Sequence, residues 1–255
     1  MASPSKPRIL LADDTNDSQF VVAKLLERHG YEVTVVSDGH EAIAAWQKEP
    51  FDAILMDVQM PGLDGFRTTE AIRDRERESG RPAIPVVALT GHTGEEDRQR
   101  CLSAGMTTHL PKPIQPQRLL AMLEGLLNPD SGPPESRPRA ADTFELGAES
   151  LLGQMEGDAD LVRKLIGFFQ RDRPVLMGQI RKAIDDNDAP SLAFAAHRLS
   201  GLVRNFGAAG AARSALTLES LARDEDLAGA AAVFQELSPE IDRLSAKLQA
   251  IDAEL

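Results

Sequence analysis

The stretch that decides the fold is AILMDVQMPGLDG, residues 53–65. Four apolar residues lead directly to a carboxylate at Asp57, and a proline and two glycines follow it closely. A short apolar run bounded by turn-forming residues is typical of a strand that is buried on both faces. We therefore predict a central strand that ends on an acid, followed by a loop that bends at Pro61 and Gly62.

Four further apolar runs alternate with five helical stretches in the first 128 residues. The predicted strands are 8–13, 31–37, 53–57, 84–90 and 108–112, and the predicted helices are about 16–29, 39–48, 64–78, 94–104 and 116–127. This alternation predicts a parallel sheet with helices on both faces. Gly30 and Gly105 each follow a helix, where a left-handed residue can end it.

The composition changes at residues 129–141, PDSGPPESRPRAA, which we interpret as a flexible linker. From residue 142 onward, leucine, alanine and phenylalanine recur at helical spacing, and strand patterns are lacking. The predicted helices are 144–155, 159–185, 189–206, 208–223 and 227–251. We expect an antiparallel helix bundle, and we place the domains at 6–128 and 142–255, on either side of the linker.

The net charge of −12 is shared by both halves, because residues 1–128 carry −5 and residues 142–255 carry −7. Neither half has the basic surface of a nucleic-acid-binding protein. No apolar run approaches the ~18 residues of a membrane span, and the first residues do not resemble a signal peptide. With a single cysteine, Cys101, the chain cannot form an internal disulfide, so we expect a cytoplasmic protein without direct membrane insertion.

Chemically active side chains follow the predicted strands. Asp13 and Asp14 end the first strand, Asp57 the third, Thr90 the fourth and Lys112 the fifth. In an open parallel sheet these ends share one edge, and a strand order of 2-1-3-4-5 would make the first and third strands neighbours. Three converging carboxylates repel one another, and a hard cation such as Mg²⁺ relieves the repulsion. A metal beside a hydroxyl and an ammonium suits a phosphoryl group, with Asp57 as its nucleophile.

For any one of these residues, capping of the next helix is an equally good interpretation, and only the combination favours a phosphoryl site. The combination resembles the receiver domain of two-component response regulators, which has a flavodoxin-like (βα)5 fold. The resemblance covers 8–127 and rests on LLADD, ILMDVQMPGLDG, VVALT and PKP. It implies that Asp57 is the phosphoryl acceptor, and that Asp13, Asp14, Asp57 and the backbone carbonyl of Gln59 hold Mg²⁺. It also implies that Thr90 is a switch residue, that Lys112 contacts the phosphate, and that the Lys112–Pro113 peptide bond is cis.

One residue departs from the receiver pattern. Three positions before the lysine, many receivers have a tyrosine or phenylalanine that moves inward on phosphorylation, and this chain has His109. We expect a weaker or differently tuned switch, which suits a domain that passes phosphate on rather than one that drives an output.

A second candidate site lies in SLAFAAHRLSGLVRNFGAAG, residues 191–210. Helical spacing places the apolar residues on one face and four others on the opposite side: His197, Ser200, Gly201 and Arg204. An exposed histidine without function is the simplest interpretation. However, a glycine in mid-helix costs roughly 0.5–1 kcal/mol relative to alanine, and Phe194 also points away from the apolar face. An exposed aromatic beside a histidine suggests a docking surface.

The run AHRLSG at 196–201, followed by Gly207, resembles the histidine phosphotransfer (HPt) module, a four-helix bundle whose usual pattern is A-H-x-L-K-G. The resemblance covers about 142–255 and implies that His197 is phosphorylated. Ser200 stands where a lysine usually contacts the phosphoryl oxygens. We infer that Arg204 supplies the missing charge, while Ser200 offers a hydroxyl and Gly201 leaves room for a partner.

Together these features predict a two-component phosphorelay protein. Asp57 accepts a phosphoryl group with Mg²⁺, and the group is relayed to or from His197 and then to a downstream response regulator. A histidine kinase is the expected donor, because we recognise no ATP-binding kinase core. The arrangement resembles the C-terminal part of a hybrid sensor histidine kinase, or a free-standing protein of the same organisation.

Two other classes remain open. A Mg²⁺-dependent aspartyl phosphohydrolase would also use a carboxylate nucleophile, but haloacid dehalogenase-like enzymes separate two acids by one residue after the first strand, whereas Asp13 and Asp14 are adjacent. A phosphorylation-independent adaptor would retain the acids without using them.

Overall fold

The structure, a computed structural model of the 255-residue chain, describes residues 6–91, 95–112, 114–128 and 146–255. The chain forms two compact units, an N-terminal α/β unit and a C-terminal helical unit. The predicted linker at 129–141 and the predicted cis peptide at Pro113 lie outside the described residues. Within them, no helix combines the length and apolar character that crossing a membrane requires.

Five parallel strands form the sheet of the N-terminal unit in the predicted order, β2-β1-β3-β4-β5. Their bounds are β1 Arg8–Ala12, β2 Glu32–Val36, β3 Ala53–Asp57, β4 Val86–Thr90 and β5 Thr108–Pro111. All residues of β3 and β4 are buried, as expected of central strands covered on both faces. In register, Asp57 pairs with Leu89, and Thr90 pairs with Pro111.

Helices cover both faces of this sheet, which confirms the predicted α/β architecture. Their bounds are α1 Asn16–Arg28, α2 Gly39–Lys48, α3 Gly65–Ser79, α4 Glu95–Ser103 and α5 Pro116–Leu127. Residues of α2, α3 and α4 build one core with the sheet, and residues of α1 and α5 build the other. Gly30 and Gly105 both adopt the predicted left-handed conformation, with φ of +86° and +87°.

The C-terminal unit contains only helices in its described part: α6 Ala148–Gln154, α7 Ala159–Asp185, α8 Ala189–Arg204, α9 Ala209–Arg223 and α10 Leu227–Glu254. Short connections join each helix from α7 to α10 to the next one along the chain, so successive helices run antiparallel. Helix α8 packs against α7 and α9, and α10 packs against α9 and α7, which closes a four-helix bundle. Three of these helices have an aspartate at the N-cap, whose side chain accepts a hydrogen bond from a backbone N–H of the first turn: Asp158, Asp188 and Asp226.

Candidate functional site

The carboxyl end of β3 presents Asp57, which is only 3% exposed. The chain then turns through Gly62, at φ +76°, and returns so closely that the backbone N–H of Gly65 donates to the Val58 carbonyl at 3.0 Å. A Cβ at position 65 would lie 2.2 Å from the carbonyl oxygen of Asp57. Glycine is therefore required there, because α3 begins directly against the residue that carries the candidate nucleophile.

Two further carboxylates lie beside Asp57. Each of Asp13, Asp14 and Asp57 contributes a carboxylate oxygen to a group whose members all lie within 4.8 Å of one another. Asp13 and Asp57 are buried, whereas Asp14 is only partly buried. Because β1 and β3 are neighbours in the sheet, the acids that follow them meet at one edge, as the sequence predicted.

Lys112 directly follows the edge strand β5 and connects two of these acids. Its ammonium Nζ donates to Asp57 Oδ2 at 2.7 Å and to Asp13 Oδ2 at 2.9 Å. Its backbone N–H donates to the carbonyl of Thr90 at 2.8 Å, and Thr90 itself is buried at the end of β4. The structure thus gathers all five predicted residues at the carboxyl ends of the strands.

Additional donors hold the carboxylates in place. Asp13 accepts from the backbone N–H of Thr15 at 2.9 Å and from Ser18 Oγ at 2.8 Å. Asp57 Oδ1 accepts from the backbone N–H of Gln59 at 3.1 Å. Sequence reasoning missed Ser18. Its signal is a hydroxyl in the first turn of α1, five residues after the first acid.

The pKa values of Asp57 and Lys112 both lie above their ordinary values, for different physical reasons. Burial raises the pKa of Asp57 to about 6, and the negative charge of Asp13 adds to this rise, although the ammonium of Lys112 opposes it. Burial lowers the pKa of Lys112, but the carboxylates of Asp13 and Asp57 outweigh burial and raise it above its ordinary value. Lys112 therefore stays charged at neutral pH.

The donor set fits a hard divalent cation. Three carboxylates and one ammonium carry a formal charge of −2 when ionised, which one divalent ion balances. The candidate ligand atoms of the three acids are carboxylate oxygens, and Mg²⁺ prefers oxygen ligands. Asp14 is the least buried of the three acids, whereas both oxygens of Asp13 already accept hydrogen bonds.

His109 lies in β5, where it pairs with Ala88. It is partly buried and belongs to the strand that leads to Lys112. This is the position where the resemblance to receiver domains leads us to expect the switch residue.

In the C-terminal unit, His197 lies in α8 with its side chain 24% exposed. Its Nδ1 atom lies 3.1 Å from Oε2 of Glu219 on α9. The Glu219 side chain is 5% exposed, and its other oxygen accepts a hydrogen bond from Arg223. Phe194, one helical turn before the histidine, is 44% exposed. The ring of His197 is thus partly accessible and held by an acid, rather than enclosed among leucines.

One expectation about α8 was wrong. Ser200 does not share an exposed side with His197, because it is 1% exposed, and its hydroxyl has no hydrogen-bond partner among the described residues. The physical reason is that α8 packs against both α7 and α9, so that the exposed strip is narrower than the polar side of an isolated helix. In this structure, the Ser200 hydroxyl is not accessible to a phosphoryl group.

Gly201 and Arg204 lie closer to the expected arrangement, since both are partly exposed. A Cβ on Gly201 would meet nothing within 4 Å, so packing inside the unit does not require glycine there. Burial lowers the pKa of the Arg204 guanidinium, and the nearby charge of Glu219 opposes that shift. Arg198, in contrast, lies over the ring of Phe194 at 5.8 Å.

Sequence reasoning missed Glu219 and Arg223. A signal was present: Glu219 falls on the apolar face of α9, among the buried residues Ala211, Ala212, Ala215, Leu218 and Ala222. A carboxylate in such a row needs a buried partner.

Comparison with known proteins gives two family matches. A model of the response regulator receiver domain matches residues 9–124, and a model of the Hpt domain matches residues 164–253.

Curated relatives agree with these two family matches. The sequence is 36% identical over 259 residues to the sensor histidine kinase GacS of Pseudomonas protegens, covering 96% of this chain and 27% of that protein. It is 31% identical over 267 residues to the virulence sensor protein BvgS of Bordetella parapertussis, covering 100% of this chain and 21% of that protein. The chain thus spans about a quarter of the length of these relatives.

One similar solved structure is the receiver domain of the sensor histidine kinase PA1611 from Pseudomonas aeruginosa, crystallised with magnesium in its active-site cleft. It is 37% identical in sequence, and the match covers 48% of this chain and 98% of that chain with a TM-score of 0.44.

Proposed function

Since this chain belongs to the two-component signalling proteins that join a response regulator receiver domain to an Hpt domain, we propose that it relays phosphoryl groups through Asp57 and His197. The observation that carries the proposal is the buried Asp57 carboxylate, held at 2.7 Å by Lys112 with Asp13 and Asp14 beside it. A buried acid that shares a cation with one neighbouring carboxylate, and has a second carboxylate close by, is suited to accept a phosphoryl group with the help of a metal ion.

In the first step, an oxygen of Asp57 attacks the phosphorus of a phosphohistidine on a donor histidine kinase. The new O–P bond forms as the P–N bond breaks, and the electron pair returns to the donor imidazole. Lys112 neutralises charge on the phosphoryl oxygens, and the hydroxyl of Thr90 donates a hydrogen bond to one of them. When bound by Asp13, Asp14, Asp57 and the carbonyl of Gln59, Mg²⁺ supplies further positive charge for the same oxygens.

In the second step, the imidazole of His197 takes the phosphoryl group from an aspartyl phosphate, and the reverse transfer returns it. Arg204 contributes positive charge near the histidine, in place of the lysine that HPt modules usually carry at the position of Ser200. His197 then donates to the receiver domain of a downstream response regulator. The similarity to sensor kinases of much greater length supports a place within a kinase phosphorelay.

Labelling tests this proposal. The chain is incubated with Mg²⁺ and radiolabelled acetyl phosphate, and the label is sorted by its chemistry, because acyl phosphates are released by hydroxylamine whereas phosphohistidine survives base. Wild type is expected to carry label of both kinds. Asp57→Asn should lose both kinds, and His197→Gln should lose only the base-stable label. Asp74→Asn and His40→Gln, which change an exposed acid and an exposed histidine, serve as matched controls.

The outcomes separate the alternatives. Absence of Mg²⁺-dependent label from Asp57 contradicts the relay and favours an adaptor that works without phosphorylation. Steady release of phosphate from simple phosphate esters favours a phosphohydrolase. Slow decay of a single labelling event per chain supports the relay.

A further inference from the structure

The hydroxyl of Ser18 lies among the charged groups of the candidate acceptor site, and the proposed relay assigns it no task. Ser18 belongs to the first turn of α1, and its Oγ atom donates to Oδ2 of Asp13 at 2.8 Å. Nζ of Lys112 donates to the same oxygen at 2.9 Å, and the backbone N–H of Thr15 donates to Oδ1 at 2.9 Å. Because the Asp13 side chain is 0% exposed, these three donors determine how its two oxygens are used.

The hydrogen bonds make the two oxygens of Asp13 unequal. An ionised carboxylate offers about four lone-pair positions, two on each oxygen, and it donates no hydrogen bond. Ser18 and Lys112 together take both positions of Oδ2. Among the described residues a single donor, the N–H of Thr15, contacts Oδ1. Asp13 therefore presents one oxygen, rather than two, to a bound ion.

This restriction distinguishes between two common hard cations. Mg²⁺ is small, requires near-octahedral coordination and keeps several of its waters, so one oxygen of a carboxylate is sufficient for it. Ca²⁺ is larger, takes roughly six to eight oxygen ligands and often binds both oxygens of a carboxylate. A carboxylate whose second oxygen is already occupied therefore suits Mg²⁺ and is a poor chelator of Ca²⁺.

From this geometry we propose that Ser18 is a positioning residue, which closes Oδ2 of Asp13 and thereby makes the acid cluster of Asp13, Asp14 and Asp57 select Mg²⁺ over Ca²⁺. This inference rests on the Mg²⁺ binding that is part of the proposed function. It does not require that Asp57 is phosphorylated, so the selectivity can be measured on the unphosphorylated chain.

Ser18, rather than Lys112, is dedicated to this task. Nζ of Lys112 is shared with Oδ2 of Asp57 at 2.7 Å, and in the proposed relay it also contacts phosphoryl oxygens. Helix α1 begins at Asn16, just after Asp13, so the Ser18 hydroxyl stays beside Oδ2 when the lysine turns to a phosphoryl group. The hydroxyl is also neutral, and its removal leaves the net charge of the cluster unchanged.

The test measures ion affinity without phosphorylation. Urea unfolding of the full chain is followed by the fluorescence of Trp46, in the core of the N-terminal unit, at increasing Mg²⁺ or Ca²⁺. The dissociation constant of each ion follows from the rise of the unfolding free energy with ion concentration. Wild type is expected to bind Mg²⁺ more tightly than Ca²⁺. Ser18→Ala should shift the ratio of the two affinities toward Ca²⁺ about fivefold, which corresponds to one hydrogen bond that no longer competes with the ion.

Two further variants isolate the hydroxyl. Ser18→Thr keeps it and should retain the wild-type ratio, whereas Ser18→Val has the shape of threonine without the hydroxyl and should shift the ratio as alanine does. This pair keeps the test decisive if Ser18→Ala does not fold. Ser79→Ala is the matched control, because the Ser79 hydroxyl donates to the Arg75 carbonyl at 2.6 Å, away from the acids, and its loss should leave the ratio unchanged.

Three results would overturn the inference: equal weakening of both ions in Ser18→Ala, which reduces Ser18 to a structural role; tighter binding of Ca²⁺ than of Mg²⁺ by wild type; or no binding of either ion. Failure of the proposed function looks different. If Asp57 takes no label from acetyl phosphate while the ratio shifts as expected, the relay is wrong and the ion selectivity stands. If Mg²⁺-dependent label forms while the ratio is the same in all variants, the relay stands and Ser18 does not select the ion.

Discussion

The ammonium of Lys112 lies 2.7 Å from one oxygen of Asp57, and the same nitrogen contacts Asp13 at 2.9 Å. One cation directly after β5 thus stabilises two buried carboxylates, Asp13 directly after β1 and Asp57 at the end of β3. The attraction offsets the cost of taking three charges out of water, and it also holds the candidate nucleophile at the edge of the sheet.

Lys112→Met should destabilise the N-terminal unit by about 3 kcal/mol, because it leaves two buried carboxylates without their shared cation. Urea unfolding followed by fluorescence of Trp46 measures this change, since Trp46 is the only tryptophan of the chain and lies in the core of that unit. Lys24→Met, which removes an exposed ion pair with Glu27, should cost less than about 1 kcal/mol.

Mg²⁺ should stabilise Lys112→Met more than it stabilises wild type, because the variant site has one positive charge fewer. Equal stabilisation of the two proteins by Mg²⁺ would contradict this charge effect, and absence of stabilisation in both would contradict a metal site at Asp13, Asp14 and Asp57.

Gly65→Ala should impair the candidate acceptor site through the backbone. Its Cβ would lie 2.2 Å from the Asp57 carbonyl oxygen and 2.9 Å from Val58 Cα, so that α3 or the end of β3 has to move. We expect a loss of about 1–3 kcal/mol by Trp46 fluorescence and a lower initial rate of acetyl phosphate labelling at Asp57. Gly167→Ala, whose Cβ would meet nothing within 4 Å, should label at the wild-type rate.

Gly201→Ala should have opposite effects on stability and on transfer. Its Cβ would meet nothing within 4 Å, and alanine is favoured over glycine in a helix by roughly 0.5–1 kcal/mol, so thermal unfolding of the helical unit followed by circular dichroism should move to higher temperature. Transfer to His197 should become slower, because the added methyl group lies one turn from the histidine, where the proposed partner domain would have to approach.

Gly178→Ala is the matched control, since position 178 also lies in mid-helix with nothing within 4 Å of an added Cβ. It should stabilise the helical unit by a similar amount and leave the transfer rate unchanged. If both variants transfer at the wild-type rate, Gly201 has no part in partner approach.

Arg204→Ala should slow phosphoryl transfer through His197 far more than Arg198→Ala does. Arg204 lies close enough to Glu219 for their charges to interact, whereas Arg198 lies over the ring of Phe194. Single-turnover transfer with a labelled donor measures both rates. Equal rates in the two variants would remove the idea that Arg204 replaces the usual lysine.

The grouping of residues at the candidate acceptor site could be predicted from the sequence because most of them directly follow an apolar run. Local periodicity identifies the five strands, and parallel strands place their carboxyl ends at one edge. Asp13, Asp57 and Lys112 could therefore be expected to meet before any contact was known. The supporting hydrogen bond from Ser18 to Asp13 was harder to foresee, because it depends on the rotation of α1 relative to β1.

In the helical unit, the periodicity of the sequence predicted only part of the side-chain arrangement. Periodicity within α8 predicted correctly that His197 and Phe194 lie away from the apolar face, but it placed Ser200 on the exposed side, whereas neighbouring helices bury it. A helical wheel describes one helix alone, and it contains no information about how widely two neighbours cover its flanks.

The sequence by itself determined the two architectures, the edge of the sheet where the acids collect and the helix that carries His197, because all of these follow from patterns within a few consecutive residues. Only the tertiary structure decided that Glu219 contacts the ring of His197 and that the hydroxyl of Ser200 is enclosed. Both depend on how α9 packs against α8, and that packing is set by the fit of all the side chains between the two helices.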